Sequence, residues 1–437
     1  MGTAAKITIE EAWEKLFDHC NIIATVAHEG SFRISSSEIN KVKEARLMAK
    51  FDQSAQLPKI FQENKLSILP ITRGEYLIGP FMTHIKVEYT AVRPLPVVVP
   101  ALQTLDPANL YSEAAALLFA YNSGIMTDIM ESKNIHFTVS GRMSSGNFSY
   151  AIRDTNNPAI HHTITVQNAQ IEIDAGYESP EAFCICEAKH IAVEDMLIRQ
   201  LYYPYRLWKY KISKPVIPLL CVFSNDVFHA FHYTFEDIQC CNSIRLVKHQ
   251  AYTFMDEVIT VADLITLWKK IKPTTEPDVT FPQADSFSRV VDLLSVLYER
   301  ALTREEVTLQ YAFDLRQTDY YITACTYLGL VIRTTNDDGE PEYRLSPDGQ
   351  RIMVQGYKAK NLALVQKILE RPVFNRVFEL TIHTGALPDK QHLCRIMTDA
   401  HLTIHQATIE RRSSTIRGWI TWIMNLTPKP QPELHYG

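Results

Sequence analysis

A chain of 437 residues with 46% apolar and 21% charged side chains can bury two or three domain cores, which excludes wholesale disorder. A net charge of -5 excludes a globally basic surface, so any face that binds nucleic acid must be local. The eight cysteines (Cys20, Cys184, Cys186, Cys221, Cys240, Cys241, Cys325, Cys394) form no CxxC pair and no zinc-like spacing, which favours free thiols in a reduced, cytoplasmic setting. No signal-peptide pattern opens the chain, and no apolar run is long enough to span a bilayer.

Residues 1–105 are expected to form an N-terminal α+β segment. Thr8 and the early acids Glu10 and Glu11 predict a helix start. Ser35-Ser36-Ser37-Glu38 predicts a second helix carrying Lys41, Lys43, Arg46 and Lys50, either a solvated face or a DNA-contacting one. Thr72-Arg73-Gly74 predicts a hairpin turn. The proline-rich stretch Arg93–Pro107 is a linker or an extended edge.

The expected central domain, residues 106–275, begins with a helix over Asn109–Thr127 that carries Glu113. Two strand-like runs then flank a loop, Ser140–Gly146, where Gly141 permits close approach and Arg142 can reach a phosphate or a guanine edge. A strand ends at Asp174, and a turn at Gly176, Ser179 and Pro180 follows. Ala182–Cys186 then delivers Glu187 and Lys189. A helix is expected near Val193. The segment Ile198–Lys214 holds Gln200, Arg199, Arg206, Lys209, Lys211 and Lys214 with no acid among them, interleaved with tyrosines and a tryptophan. Its basic groups suit phosphates, and its aromatics suit sugars or the core. A buried-type strand (Pro215–Asp226) and an alternating strand complete an α/β core with a mixed sheet flanked by helices.

Lys272–Asp285 marks a composition break. Beyond it, residues 285–437 are expected to be mainly helical. Phe287–Ala301, a helix capped by Thr303 and Glu306, and Asp314–Leu328 precede a hairpin with Asp338-Gly339 near its tip. Three helices and a hairpin, with Tyr327–Val331 and Tyr343–Gly349 around the wing, resemble a winged helix-turn-helix domain. The tail is expected to hold a second such module, making two over 285–356 and 357–437. Its last helix, Thr408–Met424, places Arg411, Arg412 and Arg417 ahead of Trp419 and Trp422, which suits a recognition helix anchored in a small core.

Asp174, Glu187 and Lys189 are the chemical centre of this arrangement. Lys189 is two residues beyond Glu187, so strand alternation puts both on one face. Asp174 with Glu187-Ala188-Lys189 resembles the motif of the PD-(D/E)xK nuclease superfamily, although Ile173 stands where the motif has proline. The resemblance implies that Asp174, Glu187 and the Ala188 carbonyl hold Mg²⁺. It implies that Lys189 assists the attacking water, with Glu113 and Gln200 as further catalytic residues. RecB-like members place a tyrosine four residues after the glutamine, where this chain has Pro204.

The layout resembles type II restriction endonucleases that join such a core to winged-helix modules. It implies a site-specific endonuclease of a restriction-modification system, cutting double-stranded DNA as a homodimer beside a separately encoded methyltransferase. The DNA contacts expected are Arg142, Arg199, Arg206, Lys209, Arg411, Arg412 and Arg417. No methyltransferase motif and no phosphate-binding P-loop appears. The alternatives are a modification-dependent or repair nuclease of the same superfamily, and a non-catalytic winged-helix regulator.

Overall fold

Alternating and continuous apolar runs in the middle of the chain pair into one mixed sheet. A computed structural model describes residues 7–105, 110, 112–253, 257–311, 315–400, 402 and 406–427. The chain divides into two compact units. One takes the chain up to Val97 with Ala116–Phe223 and Phe228–Tyr252; the other takes Val98–Ala115, Ser224–Val227 and the chain from Thr253 onward. The residues up to Val97, expected as an N-terminal segment, cluster with the unit that holds the central sheet.

The first helix, Ile9–His19, starts as its sequence predicts, with Thr8 and Glu11 in a reciprocal capping box. It packs Trp13, Leu16 and Phe17 into a cluster with Phe51 and Phe61. Trp13 Nε1 donates to the Met48 carbonyl at 2.8 Å, so the buried indole is satisfied. The expected second helix is broken into Ser36–Asn40 and Ala45–Met48. Asn40 Oδ1 accepts the Ala45 amide at 2.7 Å, which starts the second piece and diverts the chain between them. Lys41 pairs with Glu38, and Lys43 donates to the Ile7 carbonyl, so these lysines serve the local fold. The Thr72–Gly74 hairpin is present, joining Ser67–Pro70 to Glu75–Gly79.

Seven strands form the main sheet in the order Leu95–Pro96, Ile244–Thr253, Val227–Phe235, Val216–Ser224, Phe183–Lys189, Gln170–Glu178, His136–Ser144. Phe183–Lys189 runs antiparallel to Gln170–Glu178 and parallel to Val216–Ser224. The helix Arg199–Lys211 makes the crossover that a parallel pair requires. Leu95–Pro96 makes the proline-rich stretch an extended edge.

Three expectations for this region are corrected. The helix expected over Asn109–Thr127 is Glu113–Asn122 followed by Ile125–Ile129, divided at Gly124 with φ +81°; Asn109 lies outside the described residues. The expected loop at Gly141-Arg142 is strand, with Gly141 at φ +94° beside a register shift against the neighbouring strand. The helix expected near Val193 is delayed to Arg199, because Asp195–Leu197 pairs with His84–Lys86 as a two-stranded ladder.

In the second unit the order is helix Phe287–Glu299, strand Leu302–Thr303, helices Arg304–Tyr311 and Leu315–Tyr327, then strands Val331–Thr335 and Pro341–Leu345. The last strand lies between the other two in an antiparallel sheet. The Asp314 expected at the start of the third helix lies outside the described residues. Beyond Leu345 the described residues hold helices and no strand, so the described tail has no second hairpin. Its last helix, Gln406–Asn425, is instead built into the first helix's core. Trp419 lies 5.0 Å from Phe287 and stacks on Phe374 at 4.8 Å, and its Nε1 donates to the Ala284 carbonyl. Gly418 permits this approach, since a Cβ there would stand 1.8 Å from the Asp285 carbonyl oxygen.

Candidate active site

Asp174 and Glu187 meet where two strands part. The antiparallel ladder runs from Phe183 opposite Glu178 to Cys186 opposite Ala175. Continuing that register places Glu187 across from Asp174. There a side chain replaces the ladder, and Asp174 Oδ2 accepts the Ala188 amide at 2.7 Å. Glu187 is buried, and its Oε1 accepts from Lys189 Nζ at 2.7 Å and from Gln200 Nε2 at 2.5 Å. Gln200 comes from the first turn of the crossover helix, so the βαβ connection delivers it. Its Oε1 is buried with no hydrogen-bond partner, an acceptor left over at the site.

Asp52, absent from the sequence-based expectations, stands 3.6 Å from Lys189 Nζ. Nothing around it forms a motif, and its tertiary position alone brings it here. Ser54, two residues on, donates its amide to Asp195 Oδ1 at 3.0 Å and its hydroxyl to Oδ2.

The cluster sets the carboxyls of Asp174, Glu187 and Asp52 among Lys189, Lys50 and Arg199. Burial pushes the Glu187 carboxyl up to about 8; Lys189 opposes this, while Asp174 and Asp52 add to it. Burial also works against ionising Asp52, but Lys189, Lys50 and Arg199 outweigh it and hold that carboxyl below its ordinary value. Lys189 contacts both Glu187 and Asp52, so one ammonium serves two carboxylates, with Asp174 a third. The 2.7 Å contact alone suggests a fully ionised Glu187–Lys189 pair. Burial prevails, because the lysine is shared and Asp174 and Asp52 act in the same direction as burial.

The donor set suits a hard divalent cation. Asp174, Glu187 and the Ala188 carbonyl offer oxygen only, and magnesium fills its remaining positions with water. Among the described residues, no three His, Cys, Asp or Glu side chains are placed together to bind a metal. A site here therefore depends on two carboxylates, that carbonyl and water.

The other expected residues fall into distinct settings. Glu113 opens the helix Glu113–Asn122, half-buried in its first turn. Arg199 lies close enough to Asp52 to lower its carboxyl, and its Nε is buried without a partner. Arg206, expected to contact DNA, lies buried among core residues. It is 4% exposed, donates to the Ile238 carbonyl at 2.6 Å and to Tyr202 at 3.0 Å, and lies over the Phe148 ring. Lys209, three residues on, is exposed. Arg142 is exposed but pairs across the ladder with Glu172 at 3.3 Å. Arg411 and Arg417 are exposed on the last helix. Arg412 is half-buried, and burial together with Arg411 holds its guanidinium below its ordinary value.

Three family models match successive parts of the chain. Residues 10–78 match a Domain of unknown function (DUF6996), residues 79–253 a Domain of unknown function (DUF6997), and residues 289–428 a Domain of unknown function (DUF7226). No curated protein and no solved structure matches the chain.

Proposed function

We propose that the chain is a magnesium-dependent, site-specific endonuclease for double-stranded DNA, of the PD-(D/E)xK type. The observation that carries this reading is geometric: buried Glu187 lies across the strand ladder from Asp174 and accepts from Lys189 Nζ at 2.7 Å and from Gln200 Nε2 at 2.5 Å. Two facing carboxyl groups and a backbone carbonyl beside them are the oxygen ligands that a hard cation takes. Sheet neighbours give further support: His136–Ser144, Gln170–Glu178 and Phe183–Lys189 pair antiparallel in turn, the third lies parallel to Val216–Ser224 across the helix Arg199–Lys211, and the Asp and ExK residues occupy the second and third of those strands.

Asp174, Glu187 and the Ala188 carbonyl would hold the ion, which when bound would supply an activated water and offset charge on the phosphate. Gln200 holds Glu187 in place through its Nε2, and its unpartnered Oε1 can accept a hydrogen from water at the site. Lys189 offers an ammonium to the water and to the phosphate oxygens. Arg411, Arg412 and Arg417 on the last helix would be DNA contacts of the second unit, and the order helix–strand–helix–helix–hairpin over Phe287–Leu345 resembles that of a winged helix. In this reading a homodimer cuts the two strands, and a separately encoded methyltransferase protects the host site.

Digestion of a sequenced plasmid with Mg²⁺, followed by end-mapping, tests the proposal. Discrete ends at a recurring sequence are expected from the wild type and none from Lys189→Ala. Binding without cleavage by the wild type, on methylated and unmethylated DNA alike, rejects it in favour of a regulator.

A further inference from the structure

Residues 51–54 reach the carboxylate cluster from a segment matched by one family model, while Asp174, Glu187, Lys189 and Gln200 lie in a segment matched by another. Their placement is fixed by bonds that leave the Asp52 side chain unused. The Phe51 carbonyl accepts from His84 Nε2 at 3.1 Å, and the Asp52 carbonyl accepts the Leu197 amide at 3.0 Å. Ser54 binds Asp195 through both its amide and its hydroxyl. The Asp52 carboxylate, 19% exposed, then faces Lys189 at 3.6 Å.

Lys189 is thus flanked by two carboxyl groups, Glu187 at 2.7 Å and Asp52 at 3.6 Å. On the cation-binding reading above, on which this inference rests, Glu187 must turn toward a divalent ion. An ammonium on the same carboxylate oxygen would then lie within a few ångströms of that ion and be repelled by it. The lysine needs a second anion close by. Asp52 suits that place, because it already lies 3.6 Å from Lys189 and neighbouring cations outweigh burial to hold its carboxyl below the ordinary value.

We propose that Asp52 is a positioning residue that receives the Lys189 ammonium when Glu187 takes up the cation, and so keeps the lysine beside the reacting phosphate. The candidate site is then completed by the N-terminal segment, and the residues of the PD-(D/E)xK pattern do not suffice alone.

Calorimetric titration of Mg²⁺ into the full chain tests this without any cleavage assay. Asp52→Asn is expected to weaken Mg²⁺ binding about 10- to 100-fold, as loss of an outer-shell partner does. Asp52→Glu should restore most of it. In a Lys189→Ala background, Asp52→Asn should have little further effect, because no ammonium remains to be received. An equal loss in both backgrounds would show Asp52 to be only a nearby negative charge and would overturn the proposal. Unchanged binding by Asp52→Asn also overturns it, while wild-type binding leaves the cation site itself standing. If the wild type binds no Mg²⁺, both readings fall. Melting curves check the fold. Should Asp52→Asn melt early, Asp52→Glu must still bind Mg²⁺ nearly as the wild type does, or the proposal fails.

Discussion

Asp174 Oδ2 accepts the Ala188 amide at 2.7 Å, so one side chain both faces Glu187 and closes the end of a strand ladder. The two roles separate by substitution. Asp174→Asn keeps an acceptor for the amide and is expected to retain stability while losing Mg²⁺-dependent cleavage. Asp174→Ala leaves that amide unpaired and should cost about 1–3 kcal/mol as well. DNA binding without metal should survive in both, since a carboxylate that repels phosphate has gone. Gel shifts and urea melts of the two variants measure this, and equal stability would remove the structural role.

Glu187 makes the metal-free protein sensitive to base. Its folded carboxyl stands at about 8 against an ordinary 4.5, so the folded state holds a proton that the unfolded state releases. This contribution is fully present below the unfolded value and is lost as pH rises through the folded one. In EDTA the melting temperature of the wild type should fall between about pH 5 and 9, and that of Glu187→Gln should fall less. Mg²⁺ at pH 8 should raise the wild type only. Parallel melting profiles would mean that Glu187 is not protonated in the fold.

Arg206 and Lys209 share a helix and a charge but not a role. Arg206→Ala removes hydrogen bonds to the Ile238 carbonyl and Tyr202 from the core and should destabilise by about 2–4 kcal/mol. Lys209→Ala should leave stability within about 0.5 kcal/mol and affect only DNA affinity. Denaturant titrations beside gel shifts distinguish them. A stable Arg206→Ala with weakened DNA binding would restore the role expected from its sequence.

Arg411, Arg412 and Arg417 should act through phosphate. Replacing them with alanine is expected to weaken binding to all sequences alike. Each arginine removed should also flatten the salt dependence by about one unit of log–log slope. A variant that changes sequence preference without changing the salt slope would make them base readers instead.

Gly418→Ala tests how the last helix is seated. The added methyl would overlap the Asp285 carbonyl, and relief requires the helix to shift, at about 1–3 kcal/mol or more. A native melting temperature would show that the close approach is not needed.

Local patterns were legible in the sequence. Thr8 with Glu11 marked a helix start, Thr72–Gly74 marked a hairpin, and alternation placed Glu187 and Lys189 on one strand. What the sequence hid came from tertiary partners. Asp195–Leu197 carries helix-compatible residues, but His84–Lys86 offers it a ladder. The basic run after Ile198 promised a phosphate surface, yet Arg206 turns inward to cap carbonyls, because helical spacing places it one turn beyond buried Tyr202. Asp52 could not have been found, since its neighbour Lys189 is 137 positions away and no spacing rule spans that distance.

The bonds at residues 51–54 bear on how this chain can be rearranged. Its three family segments invite exchange as separate cassettes, with a joint at residues 78 and 79. Yet the Leu197 amide relies on the Asp52 carbonyl, and Asp195 on Ser54. A chimera that takes residues 10–78 from a relative must carry a matching stretch here, or the Leu197 amide and the Asp195 carboxylate lose their partners. Recombination would be tolerated more readily elsewhere than at the boundary the segments suggest.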